Sequence, residues 1–174
     1  MKSSLDSVRE LRRITAASIS DCNKALKDAK GDIKKAAELI RKRGLQIASK
    51  KSLRAANEGR IEAYVHLGNK TGVLLEVNCE TDFVARNSDF CQFTKDVAMH
   101  IVACEPAYLS KKEVPAKDLK KEKNKEEFCK QNCLLEQAFV KDPSVTVKDL
   151  LTGLVAKTGE NIVIRRFMRY RIGE

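Results

Sequence analysis

Apolar positions along this chain change period part-way, and the change divides it into two regions. Ser7-Val8-Arg9-Glu10 reads as a capping box, with Val8, Leu11 and Ile14 on one side of a short first helix. A second helix is predicted from Ser18 or Ser20, with Cys22, Ala25, Leu26 and Ala29 on one face and Gly31 as its stop. Asp32 is placed to cap a third, in which Ile33, Ala36, Ala37 and Ile40 follow the i, i+3, i+4, i+7 rule and Gly44 is expected to end the helix. Residues 45–59 are basic and alanine-rich and read as a linker, partly helical, broken at Asn57-Glu58-Gly59.

From Ile61 the period becomes two. Ile61, Ala63, Val65 and Leu67 are expected to share a buried face with Val73, Leu75, Val77 and Cys79 across a Gly68-Asn69-Lys70-Thr71-Gly72 turn. The run Asn161-Ile162-Val163-Ile164-Arg165-Arg166-Phe167-Met168-Arg169-Tyr170 supplies a third strand. Between the strands, Phe90, Phe93, Val97, Ile101 and Cys104 form one helical stripe. Val147, Leu150, Leu151, Leu154 and Val155 form another, behind a Thr146-x-x-Asp149 cap and ahead of Gly159. Residues 117–130, rich in lysine and glutamate, read as a solvated helix. The fold class is α+β: a three-helix module over 1–52, then a core over 53–174 with an antiparallel three-stranded sheet packed with helices.

Composition narrows the function. Hydrophobic residues at 43% and charged residues at 33% describe a globular protein. No apolar run approaches the roughly 18 residues that cross a bilayer. Met1-Lys2-Ser3-Ser4-Leu5-Asp6 has no apolar stretch behind its charge, so no secretory leader, no membrane and a cytoplasmic location are expected. Cys22, Cys79, Cys91, Cys104, Cys129 and Cys133 fall mostly on apolar stripes and read as small buried hydrophobes. Cys129 and Cys133 share a helical face, yet His66 and His100 lie far off and no zinc spacing is present. Of the net charge of +10, residues 1–52 hold 14 Lys and Arg against 6 Asp and Glu, and the remainder 20 against 18. A basic module beside a nearly neutral one suits phosphates or an acidic protein face equally.

No Gly-rich phosphate loop, Ser-His-Asp order or Cys-His pair is present, so an enzyme is not expected, and neither is a cofactor or a resident metal. Attention falls instead on Thr81-Asp82-Phe83-Val84-Ala85-Arg86-Asn87, where a strand hands over to a helix. Connections carry function more often than scaffolds do, and an aromatic here either folds back as a core plug or meets a partner.

With the strand before it, this loop reads Val73-Leu74-Leu75-Glu76-Val77-Asn78-Cys79-Glu80-Thr81-Asp82-Phe83-Val84-Ala85-Arg86-Asn87, and it resembles the signature of the elongation factor Ts family. Other segments match in the same order: Asp21-Cys22-x-x-Ala25-Leu26, Gly31-Asp32-Ile33, Leu134-Leu135-Glu136-Gln137, Lys141-Asp142-Pro143 and Gly159-Glu160-Asn161-Ile162. The resemblance covers nearly the whole chain. It implies an N-terminal ubiquitin-associated-like bundle before an α+β core, and exchange of guanine nucleotide on elongation factor Tu by binding alone. It implies that Phe83 intrudes into the partner's nucleotide domain and disturbs the magnesium site, with Asp82 beside it and Thr81 and Val84 holding the turn. Arg12, Ile19 and Ser20 match further partner-binding positions of the family.

Two further implications concern length and departure from the pattern. With room for one core unit, the chain is similar to short members of the family and would be a homodimer. The family's usual Thr-Gly-Ala-Gly-Met-Met appears here as Thr15-Ala16-Ala17-Ser18-Ile19-Ser20, so Ile19 still offers an apolar surface where Ser20 does so less.

The rival reading is a basic nucleic-acid-binding module, drawn from the charge of residues 1–52 and from Arg165, Arg166, Arg169 and Arg171, which alternate with hydrophobics and could make one strand face basic. Aromatic residues are only 5% of the chain and no stacking signature appears, so direct nucleic-acid contact is not expected. A thiol or metal enzyme stands third.

Overall fold

A computed structural model describes residues 4–15 and 17–174; Met1, Lys2 and Ser3, read above for a leader, and Ala16, one of the departures from the family pattern, lie outside the described residues. The chain forms two compact units, Met1–Arg54 with Thr152–Asn161, and Ala55–Leu151 with Ile162–Glu174.

The first unit is built on helices α1 (Ser4–Thr15), α2 (Ile19–Asp28) and α3 (Ile33–Lys51). Val8, Leu11, Cys22, Ala25, Leu26, Ala29 and Ala36 form its core, with Ile33, Ala37, Leu39 and Ile40 packed against them. Ser18 caps α2, its hydroxyl oxygen accepting from the Asp21 N–H at 3.1 Å, and Asp32 caps α3 by accepting from the Lys35 N–H at 3.1 Å. Two boundaries differ from the sequence pattern. Helix α1 begins at Ser4, ahead of the capping-box residues, and Ile14 is left half exposed. Helix α3 runs through Gly44 to Lys51. The glycine sits there because a Cβ would come within 3.3 Å of Thr152 Cγ2, so it permits close packing at a cost of about 1 kcal/mol in helix propensity.

The second unit holds an antiparallel sheet of order β1 (Glu58–Val65), β2 (Thr71–Cys79), β5 (Val163–Arg171), with α4 (Asp82–Ala85) and α5 (Ser88–Cys104) following β2. The 117–130 region is two helices, α6 (Ala116–Lys121) and α7 (Lys125–Asn132), because the chain turns extended at Glu122 and Asn124 caps anew by accepting from the Glu127 N–H at 3.1 Å. A small sheet of β3 (Ala138–Phe139) and β4 (Asp142–Thr146) precedes α8 (Val147–Thr158). The Thr146 and Asp149 cap forms as the sequence predicts: the Asp149 N–H donates to Thr146 Oγ1 at 3.1 Å, and the Thr146 N–H to Asp149 Oδ2 at 3.1 Å.

The hairpin register overturns the expected face of β1. Arg60 opposes Val77, Glu62 opposes Leu75 and Tyr64 opposes Val73, while Ile61 opposes Glu76 and Val65 opposes Gly72. Residues directly opposite share a face. The face with buried Val73, Leu75 and Val77 therefore takes Arg60, Glu62 and Tyr64, and Ile61, Ala63, Val65 and Leu67 are exposed. A one-residue change of phase between hairpin strands moves a whole apolar set to the other side. On β5 a bulge opposite Glu76 and Val77 makes a similar phase change, bringing Ile164 and Phe167 both inward.

Gly59 has φ +149, and a Cβ on it would lie 2.3 Å from the Val77 carbonyl oxygen. Gly59→Ala is expected to lower stability by about 2 kcal/mol or more, read as a fall in urea midpoint at constant m.

His100 is fully buried: its Nε2–H donates to Gln137 Oε1 at 2.9 Å and its Nδ1 accepts from the Val140 N–H at 3.2 Å. Gln137 Nε2 donates to the Cys104 and Gln131 carbonyls at 3.1 and 2.7 Å. Burial pulls the His100 pKa below its usual 6.5, outweighing the upward push of the Gln137 bond. The unfolded chain therefore takes up this proton first as pH falls. The His100 contribution is full above about pH 6.5 and is lost below it. His100→Gln should lose less stability than the parent between about pH 7.5 and pH 5 by urea melts.

Candidate functional site

Strand β2 ends at fully buried Cys79, whose thiol donates to the Thr81 carbonyl at 3.1 Å. Thr81 is extended, with φ −131 and ψ 153, and its Oγ1 accepts the Val84 N–H at 3.4 Å, so it caps the single turn α4. Within the turn, the Ala85 N–H donates to the Thr81 carbonyl at 3.2 Å and the Arg86 N–H to the Asp82 carbonyl at 3.1 Å. Asn87 then caps α5, its Oδ1 accepting from the Asp89 N–H at 2.8 Å. Two caps six residues apart thus bracket the turn.

Ala85 is the inward side of α4, and Phe83 is 82% exposed. The core-plug reading of Phe83 fails on that number. Asp82 and Arg86 form an i, i+4 ion pair at 2.7 Å, a surface contact contributing on the order of 0.5 kcal/mol or less. Thr81, Asp82 and Val84 are half-buried. The four residues Thr81, Asp82, Phe83 and Val84 stand together on this turn of the second unit.

Arg12, Ile19 and Ser20 belong to the first unit, and all three are exposed. Ile19 and Ser20 open α2, and Arg12 lies on α1 near enough for its charge to be felt at Cys22. Burial raises the Cys22 pKa; the Thr15 hydrogen bond lowers it, Asp21 raises it and Arg12 lowers it.

Among the described residues, no group of three or more His, Cys, Asp or Glu side chains is placed to hold a metal ion. Cys129 and Cys133 instead share a core cluster with Val114, against Tyr108, Leu119 and Phe128. Burial, then the neighbouring Cys129, pushes the Cys133 thiol up to about 12, which keeps it protonated and inert.

The strand arginines do not make one basic face. Strand alternation alone puts Arg166 on the outer face opposite Glu76, with which it pairs at 2.7 Å, and Arg169 and Arg171 on the face of Val73. Arg169 pairs with Glu105 and Glu174, and Arg171 with Glu105 at 3.3 Å. What the sequence pattern missed is the outer face itself. Ile61, Val65, Leu74, Met168 and Tyr170 are 67, 62, 47, 55 and 60% exposed, and the pairing places them side by side. A hairpin register deduced from the length of the 66–70 turn could have found it.

The sequence matches known proteins along its length. The profile of the family described as Elongation factor TS matches residues 3–127 and 124–174. Elongation factor Ts of Caldanaerobacter subterraneus subsp. tengcongensis is 48% identical, covering 98% of this chain and 97% of that protein. Elongation factor Ts of Herpetosiphon aurantiacus is 45% identical, over 99% of both chains. With its three N-terminal helices, its antiparallel three-stranded sheet and these relatives along its whole length, the chain belongs to the elongation factor Ts family of translation elongation factors.

Proposed function

We propose that this protein is the guanine nucleotide exchange factor of elongation factor Tu, binding its GDP form and releasing GDP so that GTP can reload. The observation that carries the reading is Phe83, an aromatic 82% exposed on a turn capped by Thr81 and followed at once by the Asn87 cap of α5. An apolar ring held in water by rigid backbone costs free energy unless a slot in a partner receives it.

A tightly held nucleotide rests on backbone N–H groups and a magnesium ion. An exchange factor needs no base or nucleophile; it must bind the emptied partner better than the loaded one, and the coupling is reciprocal. Weakening nucleotide a thousandfold takes about 4 kcal/mol of differential binding. Phe83 entering between helices of the partner supplies part of this, on the order of 2 kcal/mol. Asp82 acts beside it as a charge or hydrogen-bond contact, with Thr81 and Val84 keeping the turn's shape. Arg12, Ile19 and Ser20 form a second contact on the partner, where the basic module, +8 over residues 1–52, also steers association. The cytoplasm, where elongation takes place, is the proposed location.

The same reading includes a homodimer. The outer sheet face, apolar at Ile61, Val65, Leu74, Met168 and Tyr170, is the surface we assign to a second copy. Exposed apolar side chains gathered on one sheet face suit a contact with another protein surface, and a two-fold contact needs only one self-complementary face.

Phe83→Ala should leave the thermal melt unchanged and slow stimulated release of fluorescent GDP about thirtyfold; unaltered release refutes the wedge. Leu74→Lys with Met168→Lys should convert the protein from dimer to monomer by light scattering at micromolar concentration. A parent that is already monomeric, alone and with elongation factor Tu, counts against the dimer.

A further inference from the structure

A four-residue helix is far too short to hold itself, so the direction of Phe83 is set by what grips α4 from outside. One grip comes from an unexpected place on the sheet. Glu62 is a buried acid, 7% exposed, on the inner face opposite Leu75. Its Oε2 accepts from Arg60 Nε–H at 2.9 Å and from the Thr94 hydroxyl on α5 at 3.1 Å. Arg60 spends a second nitrogen, Nη1, on Cys91 Sγ of α5 at 3.2 Å. The Cys91 thiol in turn donates to the Ala85 carbonyl at 3.6 Å, at the closing end of α4. The single Thr94 hydroxyl proton is shared between Glu62 Oε2 and the Cys91 carbonyl, the latter at 2.9 Å, which ties the network to the same turn of α5. A continuous polar chain therefore runs from strand β1 through the first turns of α5 to the turn that carries Phe83.

Stability alone does not account for this arrangement. The Arg60–Glu62 pair has its acid buried and its guanidinium half-exposed, such a pair is commonly replaced by apolar residues of similar volume without loss of stability, and a thiol to carbonyl contact is weak. Directional bonds, unlike apolar packing, fix register and angle. We propose that Arg60 and Glu62 are positioning residues of the exchange turn: through Thr94 and Cys91 they lock the start of α5 and the carbonyl end of α4 to the sheet, and so set how Phe83 is presented. This rests on the reading of Phe83 as the side chain that acts on the partner.

The test pairs a measurement on the free protein with one on exchange. Arg60→Met with Glu62→Leu should keep the parent's urea midpoint while amide hydrogen exchange of residues 82–87 speeds up about tenfold in the protein alone. Stimulated GDP release should fall about tenfold in the Phe83 background and less than about twofold further in Phe83→Ala, the non-additivity expected of residues acting through one another. Arg60→Lys, which keeps a charge for Glu62 but lacks the fork that also reaches Cys91, is measured alongside and should speed the same amides. Unchanged amide exchange in both variants, or an equal release defect with and without Phe83, overturns the positioning role. Failure of the exchange reading would show separately, as Phe83→Ala releasing GDP at the parent rate while the amide effect remains.

Discussion

The pairing of β1 with β2, in which Arg60 lies opposite Val77 and Val65 opposite Gly72, is the constraint on which the second unit depends. It fixes which side of the sheet meets α5 and sends the apolar residues of β1 to the other side. It also brings a charged pair, Arg60 and Glu62, under the helix whose first turn borders the Phe83 loop. A register shifted by one residue would bury Ile61 and Val65 and expose Glu62. The outer apolar face and the polar chain to Ala85 would vanish together.

The turn that follows β2 is economical in structure. Cys79, Thr81 and Asn87 each satisfy a backbone group nearby, so a segment of a few residues stays ordered while its largest side chain remains in water. This matches what the proposed mechanism asks of it. Binding energy useful for exchange is the part realised only with the emptied partner, and a preorganised side chain loses little of it to ordering. No titrating group or metal is needed for that step. The six cysteines, all free thiols, are consistent with a structural part for sulfur, and Cys133 is driven far from reactivity by burial.

Much of the fold was legible because local rules and packing agree. The stripes Cys22-Ala25-Leu26-Ala29 and Phe90-Phe93-Val97-Ile101 are buried, and the caps at Ser18, Asp32 and Thr146 form. The hairpin and the late apolar run give the three strands, while the edge that β5 joins, beside β2, comes from the structure. What escaped the sequence depends on contacts distant along the chain. Gly44 looks like a helix stop until Thr152 is seen against it. Ile61 looks buried until its partner Glu76 is known. The arginines of β5 look like one face until the pairing sets Arg166 opposite Glu76 and Arg169 opposite Val73. At the turn itself, Thr81 to Val84 were legible as a loop with an odd aromatic, but the exposure that rules out a core plug belongs to the structure, and the hydrogen bonds from Glu62 have no signature in sequence.

The central claim is that this protein distinguishes two states of its partner. Calorimetric titration into nucleotide-free elongation factor Tu and into the GDP-magnesium form measures that distinction directly. The account predicts tighter binding to the empty form by about a hundredfold or more, with GDP affinity lowered by the same factor when this protein is bound. Equal affinity for the two forms would contradict it.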